Sequence, residues 1–171
     1  MASLLARGLD RINSLTYTLL FLMLAAMVAI VFWQVAVRFA LPPLGIIVSA
    51  PWTEEAARYL MIWSIFLGGS VAASKGLLIA VNALIDALPA HAARYTRLLA
   101  LSCTIAFLAV LTWYGWVWSE FGAVETSPVL TISKRWLYLA MPVGTALMLL
   151  NLLSVLIRIA LQPARQAESH Q

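Results

Sequence analysis

Four stretches of this chain run for about the thickness of a bilayer with almost no charged side chain, and that pattern leaves few folds open. Leu15–Val37 is 23 residues without a charge, and Leu98–Ser119 and Trp136–Ile157 are 22 residues each. A helix of about 22 residues reaches about 33 Å, enough to cross a hydrocarbon core of about 30 Å. With no water in the core, backbone polar groups have to pair within the segment, so such runs fold as helices. The second stretch is less clean. Its uncharged part, Tyr59–Ser74, has only 16 residues, so the helix has to begin near Pro51–Trp52 and carry Glu54, Glu55 and Arg58 in its opening turns.

Composition supports the same solvent. The chain is 63% apolar and 11% charged, whereas an ordinary globular domain carries about 25% charged residues. The net charge of +4 comes from Lys and Arg scattered between hydrophobic segments. That is the pattern of basic loops in a membrane protein rather than a nucleic-acid stripe. Arg7 and Arg11 before an apolar run imitate a signal peptide, but secretory cores are only about 7–15 residues long, and no A-x-A site follows. A retained first span is expected.

The expected fold is therefore an all-α integral membrane domain over residues 1–171, with spans about 15–38, 52–74, 97–119 and 136–158. Pro42-Pro43 and Gly45 end the first span, Ser49 and Pro51 suit the start of the second, and Lys75-Gly76 closes it. Ser127-Pro128 interrupts the connection between the third and fourth, and Pro142 predicts a kink within the fourth. Between the second and third spans, Leu77, Leu78, Val81, Leu84, Ile85 and Leu88 recur at helical spacing, which predicts an interfacial helix over about 77–88. Leu5, Leu9 and Ile12, with Arg7 and Arg11 opposite, predict a second such helix before the first span.

With four spans, both termini share a side. The N-tail, second loop and C-tail hold seven basic residues (Arg7, Arg11, Lys75, Arg94, Arg97, Arg158, Arg165), against four (Arg38, Arg58, Lys134, Arg135) in the other two loops. The positive-inside rule then places both termini in the cytoplasm. Trp33, Trp52, Trp113, Trp116, Trp118 and Trp136 fall towards the outer interface in that topology, and Trp63 sits inside a span. An aromatic belt explains this, with a docking surface as the alternative.

Little in the spans carries chemistry. Both histidines, His91 and His170, lie outside them, which leaves no ligands for a haem or other redox anchor, and no phosphate-binding glycine loop is present. No Asp, Glu or Lys lies near the middle of any span, against a proton relay or an autonomous ion site. No cofactor and no catalytic or metal residue is expected. Cys103, the single cysteine, reads as a packing residue. Trp52-Thr53-Glu54-Glu55-x-x-Arg58 is the one charged constellation at membrane depth. Glu54 and Arg58 stand four apart and can pair, while Glu55 is left to hold another helix or subunit. Gly68 with Ala72 and Gly69 with Ala73 are small-x-x-x-small pairs that let helices approach. Gln34 and Asn151 read as interhelical hydrogen-bonding residues. Lys134, Arg135 and Trp136 at the mouth of the fourth span read as an anchor among lipid phosphates or a docking surface.

Trp52-x-Glu54-Glu55-x-x-Arg58 followed by Trp63 and Leu67-Gly68, then Tyr138-x-x-Met141-Pro142-x-Gly144-x-x-Leu147-Met148, resemble one family in order and spacing. It is the small membrane (DctQ-type) subunit of tripartite ATP-independent periplasmic, or TRAP, transporters, and the likeness runs from about Trp33 to Leu150. After the second span the family often shows a His-Ile-x-Val-Asp string, where this chain has Leu78-Ile79-Ala80-Val81-Asn82. The resemblance implies a non-catalytic scaffold in a bacterial inner membrane, partnered by a large permease subunit and a periplasmic substrate-binding protein. It further implies uptake of organic acids driven by sodium rather than ATP. A self-sufficient four-helix transporter acting as a dimer is the alternative.

Overall fold

The computed structural model describes residues 2–75 and 89–161, and everything described in it is built from helices and the loops that join them. Helix α1 spans Ala2–Val35, α2 Pro51–Ser74, α3 Ala90–Phe121, α4 Arg135–Tyr138 and α5 Ala140–Leu161. Four segments are long and apolar enough to cross a membrane: Arg7–Ala40, Pro51–Ser74, Ala92–Phe121 and Arg135–Ile157. The four expected spans are thus present, each within a few residues of its expected limits apart from an early start to the first. The interfacial helix expected over 77–88 lies outside the described residues.

The second interfacial helix expected before the first span is not a separate element. Leu5, Leu9 and Ile12 belong to α1, which runs unbroken for 34 residues. Ala, Leu and Arg are strong helix formers and no proline intervenes, so nothing in this segment ends the helix once it is nucleated. At about 1.5 Å per residue α1 is far longer than a hydrocarbon core. Its surplus carries Arg7, Asp10 and Arg11 beyond the apolar run.

α1 ends in a π-helical turn, Ala36–Ala40, in which Leu41 donates to the Ala36 carbonyl at 3.1 Å. Pro42 and Pro43 then lack the N–H groups to continue, and Gly45 turns the chain at φ 77°. α2 opens with Pro51 at its first position, where the missing N–H costs nothing. Thr53, fully buried, donates its hydroxyl to Ala50 at 2.6 Å. The fourth span is interrupted at Leu139, three residues before Pro142. Pro142 has no N–H for the Tyr138 carbonyl and its ring crowds that turn, which accounts for the break.

α1 packs on α2, α2 on α5, and α5 on α3, so α1 and α3 occupy opposite edges of the row. The more buried positions of α1 are Leu9, Asn13, Thr16, Leu20, Met23, Met27, Ile30 and Gln34, alternating by four and three residues, and the series continues to Val37 in the π-turn. That is the seam of a helix packed along one neighbour. The apolar core, Ala73, Leu101, Leu108 and Leu152, gathers α2, α3 and α5. Two polar links cross the row. Asn151, 4% exposed, and Asn13 exchange amide hydrogen bonds of 2.8 and 3.0 Å, and Asn151 also donates to the Ser70 carbonyl at 3.3 Å. Thr112 of α3 donates to Thr145 of α5 at 2.9 Å. Gln34, by contrast, has no hydrogen-bond partner among the described residues, and Cys103 lies exposed on α3 rather than packed.

α5 and α2 approach closely at Gly144. A Cβ there would come within 2.9 Å of the Phe66 backbone, so α5 meets α2 there with no room for a side chain. At Gly115 it would meet Pro142 at 3.0 Å, which lets α3 reach the kink. Of the glycines in the small-residue pairs, Gly68 meets only Leu20, at an ordinary 3.8 Å, and Gly69 faces the flexible end of Met148. Ala73 is fully buried and Ala72 partly so.

Candidate functional site: the hairpin after α3 and the start of α2

α2 and the fourth span begin at the same end of the molecule, the expected outer end, and between them lies the connection from α3. This connection is a short hairpin closed by an antiparallel bridge between Thr126 and Ser133. Ser127 donates to Ile132 at 2.9 Å, and Lys134 donates from its backbone to Glu125 at 2.9 Å. Gly122 anchors the base: its carbonyl accepts from the Arg135 backbone at 2.9 Å and the Ser133 hydroxyl at 3.0 Å. Only glycine fits there, because a Cβ would press into the Tyr138 ring. The hairpin turns through Thr131 at φ 53°, a left-handed conformation that a β-branched residue adopts at a cost.

Glu55 reaches this hairpin from α2. One of its carboxylate oxygens accepts the Leu130 N–H at 2.9 Å and the Val129 N–H at 3.2 Å. Neighbouring Glu54 pairs with Arg58 at 3.2 Å one turn on, with both side chains more than 60% exposed. At the hairpin base, Lys134 donates to Glu125 at 3.0 Å, and the Tyr138 hydroxyl lies 3.5 Å from the same oxygen. The hydrogen bond that Lys134 donates to Glu125, reinforced by the carboxylate's charge, holds the Lys134 ammonium above the usual lysine range. Trp63, expected inside a span, donates its indole N–H to the Trp136 carbonyl at 3.0 Å, tying α2 to α4. Trp118 meets Tyr138 edge-on at 6.5 Å. A cleft of about 410 Å³ opens between α2 and the hairpin, lined by Glu54, Glu55, Arg58, Tyr59, Val129 and Lys134, among others.

The structure thus brings Glu54, Glu55, Arg58 and Lys134 to one cleft, with Arg135 and Trp136 exposed beside it. Trp52 is exposed near the start of α2. Gly68, Gly69, Ala72 and Ala73 lie at the far end of α2, apart from this cluster. Sequence reasoning missed Glu125, the partner of Lys134, and did not show that the Tyr138 hydroxyl approaches the same carboxylate. The signal was available: Glu125 is one of only seven acidic residues and stands nine before Lys134 across a Ser-Pro turn. Among the described residues no group of His, Cys, Asp or Glu has the spacing to hold a metal ion.

Four membrane-length helices with no Asp, Glu, Lys or His near their middles, and a polar clamp at one end, define a multi-pass membrane protein. The family described as "Tripartite ATP-independent periplasmic transporters, DctQ component" matches residues 27–162. The chain belongs to this family. It is 28% identical over 110 residues to the C4-dicarboxylate TRAP transporter small permease protein DctQ of Rhodobacter capsulatus, over 63% of this chain and 48% of that one. It is 30% identical over 107 residues to the isethionate TRAP transporter permease protein DctMQ of Oleidesulfovibrio alaskensis, over 61% of this chain and 17% of that one. The chain therefore spans less than half the length of either curated relative.

Proposed function

We propose that this chain is the non-catalytic scaffold subunit of a sodium-driven transporter that imports small organic acids. It works with a large permease subunit, which holds the substrate and ion sites, and a periplasmic binding protein, which delivers the substrate. The observation that carries this reading is the emptiness of the spans: no Asp, Glu, Lys or His in the sequence lies near the middle of any of them. Ion and substrate sites at mid-membrane are usually built from carboxylates, histidines or broken helices. A chain without mid-span carboxylates or histidines, and with a single broken span, suits a fixed wall rather than a moving carrier. Pro142 breaks one span only, with no counterpart in the other half.

The substrate class is supported by the relatives, which are named for C4-dicarboxylate and for isethionate, both small organic anions. The name DctMQ further suits a permease in which a small subunit and a larger one work together. The chain sits in a bacterial inner membrane with both termini in the cytoplasm, on the seven-to-four basic split. The hairpin then faces the periplasm. Lys134, Arg135 and Trp136 form its docking surface for the binding protein, and the exposed faces of α2 serve contacts with the large subunit and lipid. Affinity purification of the tagged chain from its native membrane in mild detergent tests the assembly. A permease of about a dozen spans travelling with it is the expected result. A chain recovered only with its own copies overturns it.

A further inference from the structure

Glu55 is the acidic residue of α2 that the Glu54–Arg58 pair leaves over, and its carboxylate is spent on the hairpin. The bond runs between residues 74 and 75 positions apart, from one helix to the turn of a distant loop. Two N–H groups converge on a single carboxylate oxygen, the arrangement that fixes a turn rather than merely touching it. The hairpin's base is held by the bonds to Gly122 and Glu125, whereas its tip has fewer ties among the described residues. Its ladder is one isolated bridge, and its turn holds Thr131 in a conformation that persists only when the surroundings impose it. Val129 and Leu130, the two donors, precede that strained residue directly. The same hairpin leads into Lys134, whose backbone N–H bonds Glu125 across the bridge, and directly on into Arg135 and Trp136.

We propose that Glu55 is a positioning residue, whose carboxylate clamps the Gly122–Lys134 hairpin to α2 and so presents Lys134, Arg135 and Trp136 in a preformed arrangement to the substrate-binding protein. The proposal rests on the docking reading above. A preformed surface binds more tightly because no ordering cost falls on association. A carboxylate suits the task because its charged oxygen accepts two N–H groups more strongly than the neutral amide oxygen of a glutamine would. Arg58, Lys134 and Tyr59 share the cleft with Glu55 and are the groups that face it. Arg58 is occupied by Glu54, and Lys134 by Glu125.

The test uses the complete three-component transporter in liposomes, with a spin label at Val129→Cys in a Cys103→Ser background. Glu55→Ala is expected to free the label and to raise the binding-protein concentration for half-maximal uptake roughly tenfold, from the loss of two charge-assisted bonds. Uptake at saturating binding protein and the yield of assembled complex stay as in the parent, which separates positioning from a general structural role. Glu55→Gln, which keeps an acceptor oxygen, falls between and serves if the alanine variant fails to assemble. A label that stays immobile in both variants overturns the clamp. A freed label with unchanged half-saturation overturns the link to docking, provided that Lys134→Glu with Arg135→Glu raises half-saturation. If that reversal changes nothing, the docking reading itself has failed, and a freed label still supports the clamp.

Discussion

Alanine placed in turn at Gly144, Gly69 and Gly68 measures how closely the helices of this subunit approach one another. Each substitution gains helix propensity, about 1 kcal/mol at an unobstructed position. At Gly144 the new methyl would lie 2.9 Å from the carbonyl carbon and oxygen of Phe66, atoms that cannot move without displacing α2. Overpacking of that kind costs about 1–3 kcal/mol, so the net effect is a loss of up to about 2 kcal/mol once the propensity gain is subtracted. At Gly69 the obstruction is the methyl end of Met148, which has three rotatable bonds to move it aside. Stability there changes little. At Gly68 the neighbour is Leu20 at 3.8 Å, ordinary contact, so the propensity gain survives and the variant is more stable than the parent. Titration of the purified subunit from mild detergent into denaturing detergent, followed by circular dichroism, ranks the three. The expected order is Gly68→Ala, then the parent with Gly69→Ala, then Gly144→Ala. A Gly68→Ala variant as damaged as Gly144→Ala would refute the reasoning, because the close approach would then lie in the small-residue pairs of α2.

The amide pair across the row predicts coupling in the same assay. Membrane hydrogen bonds average about 0.6 kcal/mol, so Asn13→Leu is expected to cost about 1 kcal/mol and Asn151→Leu, which also loses Ser70, about 2, with the double variant close to the larger single loss; additive losses would show that the two amides act independently. The Glu54–Arg58 pair is exposed in the isolated chain and contributes under about 1 kcal/mol there. If a neighbouring subunit covers it, Glu54→Ala or Arg58→Ala should lower the yield of complex more than the double variant does, and equal losses would leave the pair solvated. Glu125 raises the Lys134 pKa, so the pair is complete below the ordinary lysine value of about 10.4 and is lost as pH rises through the raised value. Glu125→Gln should accordingly speed acylation of Lys134 at about pH 9, and an unchanged rate would count against the pair.

Periodicity and charge made the spans legible, because the bilayer imposes one rule on every residue of a crossing helix. Long-range pairings obey no such rule. Asn13 stands two residues before the first uncharged run, where nothing in the sequence singles it out, and only the depth at which α1 meets α5 makes it the partner of Asn151. Gly144 stood in the sequence beside Pro142 as part of a motif, but the packing of α5 on Phe66 is what gives it a reason. The paired acids of α2 were visible as a cluster, and the Glu54–Arg58 spacing followed from helix geometry. The target of Glu55 did not, since a carboxylate binding backbone N–H groups leaves no trace in the identities of Val129 and Leu130. The separate interfacial helix expected at the N-terminus failed for a local reason: an amphipathic pattern says which face is apolar, not where the helix bends.

The central claim is that this chain is a scaffold without a transport site of its own. Reconstitution of the purified chain alone in liposomes under a sodium gradient, with radiolabelled organic acids and a binding protein supplied, tests it most directly. The account predicts no uptake from the small subunit, and sodium-dependent, ATP-independent uptake once the large permease subunit is added. Sodium- or proton-driven flux through the small chain by itself would contradict it.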